Sequence, residues 1–170
     1  MSAIRDANND DSRIASGLDV LSKDVTQYVT VYIADQLFGL PISRVHDVFT
    51  PDAMTPVPLS DKEVAGVLNL RGRIVTAIDM RWKLDLPQAD EGVKRMAVGI
   101  DYKGESYGLI IDRVGEVLNL PMGEREPNPV NLDPRWSAIS AGVHRLEGTL
   151  MVILDVDSVL QSMSVSATAA

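Results

Sequence analysis

Residues Gly66–Leu84 read GVLNLRGRIVTAIDMRWKL. Two apolar runs flank Arg71-Gly72, a pair suited to a tight hairpin turn, where glycine takes positive φ at no steric cost. The second run is rich in β-branched residues and ends on Asp79. The stretch therefore predicts strand, turn, strand, and then a short helix at Arg81–Leu84 that stops before Pro87. Gly72 carries the turn, and Val67, Ile74 and Ile78 are expected to anchor the strands. A turn needs the glycine but not the arginine. Arg71 is open to three readings: a solvated charge, an ion pair with a neighbouring carboxylate, Asp47 being the best candidate, or a contact for a partner.

A weaker copy of this stretch stands near the other end. GVHRLEGTLMVILDVDSVL (Gly142–Leu160) matches it at six of nineteen positions. FGLPISRVHDVF (Phe38–Phe49) and YGLIIDRVGEVL (Tyr107–Leu118) agree at six of twelve. The chain thus reads as a duplication of a unit of roughly 70 residues, about 25–90 and 93–162, each with about five short strands. Two repeats are too few for a solenoid. Two small barrels, or one double barrel, solve the problem of exposed sheet edges.

The remaining pattern is also strand-like. YVTVYIA (Tyr28–Ala34) precedes a turn at Asp35-Gln36 and the strand LFGL. VHDVF (Val45–Phe49) alternates, with Val45, Asp47 and Phe49 on one side. TPDAMTPVPLS holds three prolines and is a loop or an edge. DKEVAG fits one helical turn stopped by Gly66. RMAVGIDY and SYGLIIDRVGEVLNL flank a turn at Lys103-Gly104, and PMGEREPNPVNLDP is a loop. Residues 1–24, rich in Asp, Asn and Ser, are expected to be a disordered leader, with Gly17–Leu21 as its one candidate docking element. Residues 163–170 are expected to be a flexible end.

The duplication explains several residues without invoking function. Gly39 and Gly108 relieve crowding at a bend, Gly72 and Gly148 supply positive φ, and Asp79 and Asp155 cap the helical segments that follow. The copies differ at the hairpin, where Glu147 takes the place of Arg71.

Composition excludes several function classes. The net charge of -8 argues against nucleic acid or an anionic membrane as a partner. An SH3- or OB-like nucleic-acid binder would need basic grooves with stacking aromatics, and only 5% of residues are aromatic. The chain has no cysteine, and its two histidines, His46 and His144, make no His-rich metal site. No apolar run is long enough to span a bilayer, and the N-terminus lacks a signal-peptide core, so a cytoplasmic protein is expected. The paired aspartates Asp79 and Asp155 are followed by Met80 and Val156, not the hydroxyl residue and glycine of an aspartic-protease dyad. No catalytic residues, cofactor or metal are expected.

The sequence resembles the CheW-type coupling proteins of bacterial chemotaxis. GVLNLRGRIVTAIDMR carries the resemblance, supported by LFGLPISRVHDVF and YGLIIDRVGEVLNL, over about residues 26–162. It departs from the commonest pattern at Thr76, Ala77 and Trp82, and Trp82 is expected to be core. The resemblance implies an all-β fold of two SH3-like five-stranded barrels that exchange segments, with short helices. It implies a non-catalytic adaptor, monomeric alone, that joins the regulatory domain of the histidine kinase CheA to the cytoplasmic tips of methyl-accepting chemotaxis receptors in extended arrays. The alternative is an adaptor of a chemosensory-like pathway with an output other than swimming. The implied receptor groove would use Val45 on a short contact strand, Gly66 where a partner backbone comes close, and Asp47, Asn69 and Arg71 at its rim.

Overall fold

The structure, a computed structural model, describes residues 24–161. The expected leader, but for Asp24, and the expected flexible end at 163–170 lie outside the described residues. The strands are β1 (Val25–Ile33), β2 (Gln36–Pro41), β3 (Asp47–Phe49), β4 (Val64–Leu70), β5 (Arg73–Asp79), β6 (Met96–Tyr102), β7 (Glu105–Ile111), β8 (Arg113–Pro121), β9 (Ser140–Leu146) and β10 (Thr149–Leu154). Short helices are α1 (Met80–Lys83), α2 (Pro134–Ser137) and α3 (Val156–Gln161).

Two five-stranded sheets form, ordered β8-β1-β2-β10-β9 and β3-β6-β7-β5-β4. Each mixes the two repeats. The β1–β2 hairpin of the first repeat completes the sheet of β8, β9 and β10. The β6–β7 hairpin of the second completes that of β3, β4 and β5. Matching parallel contacts join β2 to β10 and β7 to β5. This is the expected segment exchange.

Burial follows the alternation of side chains along the strands. One face of each sheet feeds a shared core, where Val31, Phe38 and Leu40 belong with Ile78, Val98, Leu109 and Val152. The other faces form satellite clusters, Phe49, Leu68, Val75 and Ala77 in one sheet and Tyr28, Leu37, Met151 and Ile153 in the other. The expected aspartate caps form: Asp79 Oδ1 accepts from the Arg81 N–H at 3.0 Å and Asp155 Oδ1 from the Ser158 N–H at 3.3 Å. A Cβ at Gly108 would lie 2.9 Å from the Phe49 ring, which is the crowding its glycine relieves.

Five local expectations change. DKEVAG is a turn followed by β4, because one short turn cannot nucleate a helix and Val64 instead pairs with Ile78. The β1–β2 turn falls at Ala34-Asp35, one residue early. Val45 precedes β3, closing a 3-10 turn at Ile42–Arg44. Ile74 is 71% exposed and anchors nothing. It alternates with Val75 and Ala77, but unlike Ile78 it lies beyond the shared core. Trp82 is 43% exposed, with the Lys62 ammonium 5.7 Å from its ring centre.

An ionic cluster ties the two sheets together. Asp112 links β7 of one sheet to β8 of the other. It accepts from Arg81 Nε at 3.0 Å and Nη2 at 2.6 Å, and from the Ala34 N–H at 2.8 Å. Arg95 forks onto Asp79 at 2.8 and 3.1 Å.

Candidate partner-binding site

Arg71 and Gly72 form the two-residue β4–β5 turn with φ of 53° and 83°. Positive φ at both positions is the type I′ pattern, which favours Asn, Asp or Gly first and Gly second. Asn69 staples the turn, its Oδ1 accepting from the Gly72 N–H at 2.9 Å. Glycine fits its place; arginine is held against local preference. Its counterpart Glu147 lies outside the positive-φ region.

The Arg71 side chain is 78% exposed and reaches Asp47 Oδ2 from Nη1 at 3.4 Å. That contact brings the β4–β5 hairpin onto β3, and these strands stand at opposite ends of the sheet order. Asp47 pairs with Gly99 of β6, where an added Cβ would collide with the Asp47 Oδ1. Gly99 makes room for the carboxylate.

Further polar groups continue the surface. His46 Nε2 lies 2.9 Å from Asp101 Oδ2. Arg73 Nη2 donates to Ser106 Oγ at 2.6 Å, and Ser106 donates to Asp101 Oδ1 at 3.2 Å. The Tyr107 hydroxyl donates to Glu105 at 2.9 Å; burial and this carboxylate push its pKa up to about 12, so it stays a donor near neutrality. All of these but Glu105, with Leu70 and Ile100, line an open cleft of about 270 Å³.

The structure brings Asp47 and Arg71 to this cleft, with Asn69 supporting the turn. Gly66 lies farther down β4, and the backbone that comes close to it is the chain's own Thr55. Val45 packs against the shared core. Sequence reasoning did not select His46, Arg73, Gly99, Asp101, Ser106 or Tyr107. Only Gly99, a glycine inside an apolar strand, carried a local signal of close approach. The cleft alternates cations and carboxylates, and its serine hydroxyl, Ser106, is tied between Arg73 and Asp101, an arrangement suited to docking polar groups. Among the described residues no group of three or more acidic, His or Cys side chains could hold a metal.

A family model of the CheW-like domain matches residues 27–164. The chain belongs to the CheW-like family. It is 26% identical over 136 residues to the chemotaxis protein CheW of Rhizobium meliloti, covering 80% of this chain and 88% of that one. It is 28% identical over 133 residues to the chemotaxis protein CheW of Thermotoga maritima, covering 78% and 86%. The crystal structure of the scaffolding protein TtCheW from Thermoanaerobacter tengcongensis superposes with a TM-score of 0.69 at 26% identity, covering 76% of this chain and 88% of that one. The two sheets are the two SH3-like barrels of the CheW fold.

Proposed function

We propose that this CheW-like chain is a non-catalytic chemotaxis adaptor. It couples the histidine kinase CheA to the cytoplasmic tips of methyl-accepting receptors, in the cytoplasm and recruited to receptor arrays. The match to the CheW-like domain over most of the chain carries this reading, and nothing favours the alternative output. Among the described residues no helix is long and apolar enough to cross a membrane. Specific ATP binding at micromolar affinity by calorimetry would contradict the non-catalytic assignment.

The receptor-facing surface includes Arg71, Asp47 and Asn69, continues toward Val45, and relies on Gly66 to hold the base of the β4–β5 hairpin. Arg71 supports this assignment best. A residue kept in a left-handed turn against its preference, mostly in solvent, contributes little to folding, so its value lies in what it meets. The 3.4 Å contact with Asp47 adds at most about 1 kcal/mol to stability. Arg71→Ala is therefore expected to melt within about 1 kcal/mol of the wild type. It should weaken binding to a receptor-tip helical hairpin by about 1–3 kcal/mol if the guanidinium is desolvated there. Arg71→Lys should rescue only partly, since an ammonium lacks the planar fork. Normal binding by both variants, in a titration by calorimetry, would remove Arg71 from the site.

A further inference from the structure

The duplicated strands β4 and β9 carry matching segments, Gly66-Val67-Leu68 and Gly142-Val143-His144. Leu68 is buried in the apolar satellite cluster of its barrel. His144 takes the corresponding place in the other barrel and is 2% exposed. It stands opposite Met151 of β10, and its ring meets that of Tyr28 edge-on at 5.6 Å. Its Nε2 is buried with no hydrogen-bond partner. An imidazole thus occupies a position that the repeat fills with leucine.

We propose that His144 makes the β8-β1-β2-β10-β9 barrel the acid-labile half of the molecule: a proton on the imidazole opens the seam that holds β9 to the loop after β8, while the barrel bearing Arg71 keeps its form. The seam is narrow. The Glu126 N–H donates to Val143 O at 2.8 Å, and the Val143 N–H donates back to Glu126 O at 2.9 Å. Arg145 Nε adds a contact to the Glu126 carboxylate at 3.0 Å.

The groups around the ring set the sign. Burial disfavours the charged imidazole and is the largest influence. Glu124 and Glu126, on the loop, favour the charge, while Arg125 opposes it. From β1 the facing titratable group is the Tyr28 phenol, neutral near pH 7, and Met151 on β10 does not titrate. The net effect lowers the pKa below its ordinary 6.5. The unfolded chain then takes up the proton first as pH falls. The stabilisation is complete above about 6.5 and is lost as pH drops through the interval from there to the folded-state value.

The test uses the full chain and two readouts. An imidazole NMR titration should place His144 below 6.5. Hydrogen exchange, corrected for intrinsic rates, should show protection at Val143 and Glu126 falling severalfold between pH 7.5 and 5.5. Protection at Leu109, in the other barrel, should hold. His144→Leu, matching the repeat, should abolish the fall. If that variant does not fold, His144→Gln, which cannot take up the proton, serves instead. A ring that titrates at or above 6.5, equal loss in both barrels, or the same fall in the uncharged variant would each overturn the proposal.

Discussion

Asp112→Asn is expected to destabilise the protein by about 2–3 kcal/mol, a fall in melting temperature of roughly 5–10 °C for a chain of this size. Asp112 and Arg81 side chains are 20% and 15% exposed, so the pair lies between a solvated bridge worth at most about 1 kcal/mol and a fully buried one whose rupture costs about 3–5 kcal/mol. Asparagine keeps the size and one acceptor. It loses the fork from Arg81 and leaves Arg81 and Arg95 facing Asp79 as their remaining carboxylate in the cluster. It also weakens the hold on the Ala34 N–H, at the first position of a turn whose two residues, Ala34 and Asp35, both have positive φ. Burial opposes the charge of Asp112, but the Arg81 bonds, the Ala34 N–H and the nearby Arg95 outweigh it and hold the carboxyl below its ordinary range. A depressed carboxylate contributes its stability above the unfolded value near 4 and loses it as pH falls through the folded value. The gap between wild type and variant should stay constant from pH 6 to 8 and close below about pH 4. Denaturant melts at both ends of this range check it. A gap under about 1 kcal/mol at pH 7 would mean that the shared apolar core alone holds the barrels together.

Gly66→Ala should cost as much or more, about 2–4 kcal/mol, through backbone strain and collision. Gly66 has φ of 155°, and a Cβ there would lie 2.6 Å from Thr55 O. Neither partner can step aside. Thr55 and Val67 exchange backbone hydrogen bonds at 2.8 Å, pinning the loop to β4. The second repeat uses the same device: Gly142 has φ of 129°, a Cβ there would lie 2.7 Å from Glu126 O, and Glu126 bridges Val143. Thermal melts of Gly66→Ala and Gly142→Ala should therefore show similar losses. A Gly66→Ala protein that melts like the wild type yet fails to bind a receptor tip would restore Gly66 as a residue that keeps a groove open for a partner.

Both variants mark the boundary of what sequence can show. Turns and caps are local chemistry, settled by neighbours in the chain. Arg71-Gly72 and Lys103-Gly104 therefore form hairpins where the sequence places them, and Asp79 and Asp155 cap the helices that follow. The duplication was legible too, because each repeat must bury the same strand faces. Other features depend on which distant segment covers a residue. Val64 is strand and not helix because Ile78 lies beside it. Ile74 and Ile78 stand on the same face of β5, yet only Ile78 reaches the shared core. At the candidate site, Arg71 and Asp47 could be paired as opposite charges. Of the groups Asp101 gathers, Ser106 is its partner across the Lys103-Gly104 hairpin, whereas His46, beside β3, and Arg73, on β5, share no local spacing with it. The Arg81–Asp112 pair spans 31 residues and exists because β7 leaves one barrel for the other at Asp112. Turn and cap chemistry is decided within a few residues, so the sequence determined the Arg71-Gly72 and Lys103-Gly104 turns, the aspartate caps and most of the strands. Burial and charge pairing are decided by whatever the chain brings back from afar, and only the tertiary structure determined those.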